Sequence, residues 1–315
     1  MIHKFIKNIK TKVLFWLAIG LVFVTFSCAK QKVNPLLALN TTSNTSSSTL
    51  KKTNPDFNKY WYAGEAEISS YKLEQARYGE IRQGHAILVY VTEDFLPNVQ
   101  VKADSRNSNN IPILKLNATK KFNTGIYPYS IMQSTFYPIS NNKHAIKVSS
   151  SMQEWCGHVY AQLNNREQFE IMSHSYFEGE ADINFKMKKN ILENELWTQL
   201  RINPKSLPTG DLQIIPSFEY TRLRHVPIKA YAANASISNN TYTIFYPDLN
   251  RTLIIKFNSN FPYDILGWEE TFKSGFGNKA KIMTTKASKL ETIKSAYWNK
   301  NNNKDETLRK TLQLN

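Results

Sequence analysis

Between Trp61 and Trp298 apolar and polar residues alternate singly over long stretches, with Tyr, Phe, Ile, Val and Thr filling the apolar positions. A period of two sends successive side chains to opposite faces of a strand, so the pattern predicts a β domain. Ala86 to Val91 reads as a compact apolar strand. From Ile171 to Met187 the alternation puts Tyr176, Glu178, Glu180 and Asp182 on one face and Phe177, Gly179, Ala181, Ile183 and Phe185 on the other. Turn residues punctuate the second half: Ser238-Asn239-Asn240 separates two strands, and Pro247-Asp248-Leu249-Asn250 separates Thr241–Tyr246 from Thr252–Phe257. Connections this short join antiparallel neighbours.

One stretch departs from the period. Leu192, Leu196 and Leu200 recur every four residues, Asn190 stands at a predicted N-cap with Glu193 three residues on, and Pro204 follows. These are the signs of a short amphipathic helix. Strands, a lone helix and more strands predict a mainly β fold, a strongly curved antiparallel sheet or open barrel whose concave face the short helix covers. Leu290, Ile293 and Tyr297 fall at helical spacing, while the alternation of Lys279 to Thr285 predicts a last strand leading into that helix.

The N-terminus follows a different plan. Lys4, Lys7, Lys10 and Lys12 precede an uncharged apolar run from Val13 to Phe26. That order is the n-region and h-region of a secretory signal, and the run is shorter than the ~20 residues a helix needs to cross a bilayer. No second run of similar length follows, which excludes a multi-span protein. Thr25-Phe26-Ser27-Cys28 resembles a lipobox, although Thr25 stands where an aliphatic residue is usual and Phe26 is bulky. Cys28 is therefore the expected lipidation site, the alternative being an uncleaved signal anchor. Ala29-Lys30-Gln31-Lys32 carries no acidic residue, which favours a periplasm-facing location on the outer membrane over surface export. From about Asn40 to Thr53 the chain is nearly all Ser, Thr, Asn and Lys, too polar to offset the entropy of ordering it. The expected organisation is a signal peptide over 1–27, a flexible tether over 28–58, an antiparallel β domain over 59–298 and a basic disordered tail over 299–315.

Charge sharpens the picture at one end only. The chain carries 40 basic and 25 acidic residues, a net +15, and +11 without the four lysines of the signal segment. From Lys273 onward ten basic residues face three acidic ones. Such a segment suits a solvated tail or anionic lipid. Nucleic acid is not expected, because export removes the protein from it and no binding motif accompanies the charge.

Chemistry is thinly signalled. With 2 Cys in the chain and Cys28 assigned to lipid, Cys156 has no disulfide partner. On a strand, Cys156 and His158 would share one face about 7 Å apart, the arrangement of a weak nucleophile and base pair. A buried small hydrophobe beside a hydrogen-bonded histidine is the plainer account. Glu65, Glu67, Glu178 and Glu180 offer carboxylate pairs, which strand alternation produces routinely, so they read as solvated or salt-bridged. The six His show no metal-ligand spacing, and no phosphate loop or nucleophile elbow appears, so no metal or cofactor is expected.

Trp61, Gly64-Glu65-Ala66-Glu67, Gln75-Ala76-Arg77-Tyr78-Gly79-Glu80, Trp155-Cys156-Gly157-His158 and Glu178-Gly179-Glu180 together resemble a family of uncharacterised Bacteroidetes lipoproteins, across nearly the whole mature chain. Members often bear the label "septum formation inhibitor Maf", but the Ser-Pro-Arg-Arg motif of true Maf pyrophosphatases is missing here, so that activity is not implied. The order of strands and helix is also similar to the half-barrel of periplasmic lipoprotein carriers, an analogy of fold alone. The resulting expectation is a lipid-anchored envelope protein, a non-enzymatic binding module that holds an apolar ligand or a protein partner on a concave face lined by Trp155, Tyr160 and Phe177. An envelope hydrolase using Cys156 and His158, and a structural envelope lipoprotein, are the alternatives.

Overall fold

The computed structural model describes residues 55–140 and 143–314; Cys28, the signal segment and most of the expected tether lie outside the described residues. Helix α1 (Pro55–Trp61) comes first, then β1 (Ala66–Arg77), β2 (Glu80–Leu96), the short β3 (Val101–Lys102), β4 (Ile111–Thr124) and β5 (Tyr127–Pro138). β6 (Lys147–Glu154), β7 (Gly157–Asn165), β8 (Phe169–Ser175), β9 (Asp182–Met187) and β10 (Ile191–Leu192) follow. Helix α2 (Glu193–Ile202), β11 (Gly210–Ile215) and helix α3 (Phe218–Arg224) lead to a second meander, β12 (Tyr231–Ser238), β13 (Thr241–Tyr246), β14 (Arg251–Phe257), β15 (Ile265–Ser274) and β16 (Lys281–Ser295). Helix α4 (Thr307–Thr311) is the last element.

The fold is mainly β, and one sheet contains every strand of the described residues. Its order runs β10-β11-β12-β13-β14-β15-β16-β1-β2-β4-β5-β6-β7-β8-β9, with β3 beside β2. All pairs are antiparallel except β10 with β11. The two edge strands, β9 and β10, do not pair with each other, yet only residues 188–190 separate them in the chain. The sheet therefore curls until its edges nearly meet, an open barrel with a seam. The turns obey the chemistry expected of them: Asn239 and Asn240 both take positive φ at the β12–β13 hairpin, and Asn250 does so after Pro247.

Helix α2 fills the barrel. Leu196 and Leu200 join the main core with Leu88, Leu116, Ile244, Leu253 and Trp268. Its polar side chains each reach a different wall: Glu193 binds Arg251 and Tyr246, Asn194 binds Gln133, and Arg201 binds Glu67. The helix begins two residues later than the sequence pattern suggests, because the Glu195 carboxylate accepts from the Leu192 backbone N–H and so fixes the first turn there. Pro204 ends it as expected, opening a short 3-10 turn.

Four expectations need correction. The alternation from Ile171 to Met187 is not one strand: residues 176–181 form the β8–β9 turn, where Ala181 takes positive φ and its N–H returns to the Phe177 carbonyl. A hairpin that reverses through such a turn keeps the alternating pattern on both arms, so periodicity did not reveal it. The helical spacing of Leu290, Ile293 and Tyr297 is coincidental, since β16 runs to Ser295 in register with β1. The tether ends earlier than residue 58, because α1 buries Phe57 and Trp61. The tail expected over 299–315 is ordered through residue 314: Leu312 and Leu314 pack in a satellite core with Ala66, Ile68 and Val91.

Candidate functional site

The expected deep apolar pocket on the concave face is replaced by helix and side chains. Between α2, α3 and the wall remains a chamber of about 50 Å³, lined by Trp197, Trp268 and Leu88 but also by Lys120, Glu193, Glu219, Arg251 and Glu270. Space of that size holds a few waters rather than an organic ligand. Its charges are mutually satisfied. Lys120 donates to Glu219 at 2.6 Å, and Arg251 bridges Glu193 and Glu270. Burial works to raise the Glu193 carboxyl, but the charge and hydrogen bonds of Arg251 outweigh it and hold the group below the usual carboxylate range. Glu219 is pushed up by burial, against the pull of Lys120. The chamber reads as a locking network between helices and barrel.

A larger space opens at the seam. The inward side chains Val159 and Ala161 of β7, Ser173 of β8, and Ile183 and Phe185 of edge strand β9 form one wall. Phe218 and Thr221 of α3, with Val226, Pro227 and Ile228 after it, form the other. Together they enclose a groove of about 350 Å³. Its mouth is polar. His225, in the left-handed region at the C-cap of α3, hydrogen-bonds through Nδ1 to Glu180 at 2.6 Å. The Arg222 side chain is only 9% exposed, and its guanidinium lies 4.1 Å from the Phe177 ring centre. Its Nε–H has no acceptor, the nearest Glu180 oxygen lying 3.9 Å away. Burial, ahead of the opposing charge of Glu180, lowers the affinity of this guanidinium for its proton.

The aromatics expected to line the concave face separate. Phe177 stands at the groove mouth against Arg222 and His225. Tyr160 lies on the outer face, hydrogen-bonded to Gln162. Trp155 sits exposed at the tip of the β6–β7 hairpin. Cys156 shares that two-residue turn rather than a strand, so its thiol does not share a strand face with His158. The side chain and backbone N–H of Cys156 both turn to Glu154, whose carboxylate raises the thiol pKa, the opposite of activation. Of the four glutamates, Glu67 is buried against Arg201, Glu180 pairs with His225, and Glu178 is exposed in the β8–β9 turn. Among the described residues no cluster of three or more His, Cys, Asp or Glu suits a metal, and no helix is long and apolar enough to cross a membrane. Arg222 and His225 were not singled out in the sequence, because a charged helix end reads as solvated and only the fold carries Phe177 across to it.

No protein-family model matches the chain, and no curated protein does either. A solved structure is similar. The crystal structure of a beta-barrel-like protein of domain of unknown function DUF1849 from Brucella abortus aligns over 73% of this chain and 97% of that one, with 5% identity and a TM-score of 0.42.

Proposed function

We propose that the protein is a lipid-anchored binding module of the bacterial envelope that holds a mainly apolar ligand with an anionic group in the seam groove. The observation that carries this reading is the groove itself. At about 350 Å³ it falls in the size range of small-molecule sites, roughly 300–1,000 Å³, and it has their composition, apolar walls with a few placed polar groups. The Arg222 guanidinium, whose side chain lines the groove, suits a carboxylate or phosphate oxygen, the partner for which guanidinium geometry is best matched. Anchoring through Cys28, a periplasm-facing position on the outer membrane and kinship with the uncharacterised Bacteroidetes lipoproteins complete the proposal.

Native mass spectrometry of the protein extracted from its own membrane tests it. A bound mass is expected, absent in Ile183→Glu, which places a carboxylate on the partly open wall of the groove, and reduced in Arg222→Gln. A ligand-free protein that also fails to bind a long-chain fatty acid saturably would reject the groove as a binding site. Labelled palmitate that remains incorporated in Cys28→Ala would reject the anchor.

A further inference from the structure

Strand directions place six hairpin turns at one end of the barrel: β1–β2, β4–β5, β6–β7, β8–β9, β13–β14 and β15–β16. Five of the six carry a large apolar side chain that the fold leaves wholly or partly in solvent, while Leu249 of the β13–β14 turn packs against the core. Ile126 is 84% exposed, Trp155 68%, Phe276 65%, Tyr176 64% and Tyr78 36%. Isolated exposed apolar residues are ordinary on a protein surface. One on the tip of five of the six hairpins is a pattern, because turns otherwise favour Gly, Asn, Asp, Ser and Pro. Neighbouring tips touch through Tyr78 with Phe276 and Tyr127 with Trp155, at ring separations of 6.0 and 6.4 Å.

We infer that this crown of hairpin tips is a second membrane contact, which dips its apolar side chains into the interface of an anionic bilayer. Three observations select lipid over a protein. The apolar groups stand on separate hairpin turns, meeting in pairs at Tyr78–Phe276 and Tyr127–Trp155, and a lipid interface deforms around such wedges. Trp155, Tyr176 and Tyr78, three of the five, are of the residue types that settle at headgroup depth, an apolar ring with a polar atom at its edge. Charge contributes on one hairpin: Lys273, Lys279 and Lys281 flank Phe276, all exposed and none in an ion pair among the described residues, while Glu80, Glu178 and Asp182 stand at other turns of the same end. Anionic headgroups attract lysines placed in this way. The chain enters the described domain at Pro55, and α1 leads into the start of β1, at the end away from the crown. The groove mouth at Phe177 and Arg222 lies on the crown's side of the barrel.

Cys156, exposed at the Trp155 tip, offers a reporter. The full chain carrying Cys28→Ser is labelled at Cys156 with an environment-sensitive nitrobenzoxadiazole dye and mixed with vesicles of phosphatidylcholine, with or without phosphatidylglycerol. A blue shift and quenching by spin-labelled lipid are expected with phosphatidylglycerol. Both are to be lost in the Ile126→Ser, Phe276→Ser double variant, and weakened when Lys273, Lys279 and Lys281 are changed to Ser, with thermal unfolding unchanged. A dye that stays water-exposed on both vesicles overturns the inference, as does a blue shift produced by envelope proteins without vesicles. Ligand occupancy of the groove, read by mass spectrometry, is independent of either result.

Discussion

Arg201 grips Glu67 with both arms of its guanidinium, Nη1 to Oε1 at 2.5 Å and Nη2 to Oε2 at 2.7 Å, in a site where both side chains are almost wholly buried. The pair joins the end of the barrel-filling helix to β1, and Tyr60 from α1 donates to the same carboxylate. Removing one partner of a buried pair leaves an uncompensated charge and costs about 3–5 kcal/mol, whereas replacing both by apolar residues is often neutral. Glu67→Gln is expected to lose about 3 kcal/mol of unfolding free energy in urea, and Glu67→Met with Arg201→Met to recover most of it. Equal losses in the single and double variants would show that the two residues do not act as a pair.

Acid should loosen the same contacts. Burial alone would raise the Glu67 carboxyl, but Arg201 and Tyr60 hold it below the usual range, and Arg251 does the same for Glu193. A depressed folded pKa gives stability that is complete above the unfolded value, about 4.3 for Glu, and is lost as pH falls through the folded value. Glu219, raised by burial, acts oppositely: its contribution is complete below the unfolded value and is lost as pH rises through the folded one. The urea midpoint is therefore expected to drop steeply below a pH of about 4, where two depressed carboxyls outweigh one raised one. A midpoint that stays level down to a pH of about 2 would contradict this assignment.

These pairs also mark where the sequence stops being informative. Leu192, Leu196 and Leu200 identify α2 because burying one helical stripe demands that spacing, and Asn239-Asn240 identify a hairpin because few residues accept positive φ. Glu67, Glu193, Arg201 and Arg251 look like solvent-facing charges in the same pattern, since only the closing of the sheet puts each opposite its counter-ion. The groove is hidden for a related reason. Its walls come from β7, β8, β9 and the segment after α3, brought together by the seam of the curled sheet. The crown is hidden as well, because Ile126, Trp155, Tyr176 and Phe276 lie far apart in the chain and only the register shows that they occupy the same end.

Cys156 should be a slow nucleophile. It is fully exposed, yet Glu154 accepts from it and repels the thiolate, so less thiolate exists at a given pH than in a free cysteine with pKa about 8.5. Alkylation by iodoacetamide in the Cys28→Ser background is expected to run slower than for a model thiol, and to accelerate in Glu154→Gln. An unchanged rate in Glu154→Gln would remove the carboxylate as the cause. Cys156→Ser is expected to leave the unfolding midpoint where it was, since the side chain is exposed and serine can keep the hydrogen bond to Glu154.

The end of the chain should contribute to stability rather than merely to solubility. Leu312 and Leu314 cover Ala66, Ile68 and Val91 on the outside of β1 and β2, with Ile87, Val89 and Ile293 around them. Truncating a buried Leu to Ala typically costs about 2–5 kcal/mol, and a satellite core that relaxes easily belongs at the low end. Leu312→Ala is expected to lose about 2 kcal/mol, and a stop codon before Thr307 to lose more and raise amide exchange in β1 near Ile68. Exchange there that is unaltered by the truncation would mean that α4 is not docked in solution.

Gly84 tests the curvature of the sheet at its tightest approach. A Cβ built on it would lie 2.2 Å from the Lys121 carbonyl oxygen and 2.8 Å from the Phe122 Cβ, both on the paired strand β4. Neither can move aside as a flexible side-chain end can, because the Lys121 oxygen is backbone and Phe122 is buried and stacked on Tyr129, with ring centres 5.0 Å apart. Alanine must therefore push β2 away from β4 or break the stack. Overpacking of this kind costs about 1–3 kcal/mol, and Gly84→Ala is expected in the upper half of that range despite the entropy it removes from the unfolded chain. The chemical shifts of the Phe122 and Tyr129 rings should move in the variant. A variant as stable as the wild type with those shifts unchanged would mean that the two strands are farther apart in solution than the Gly84 contact requires.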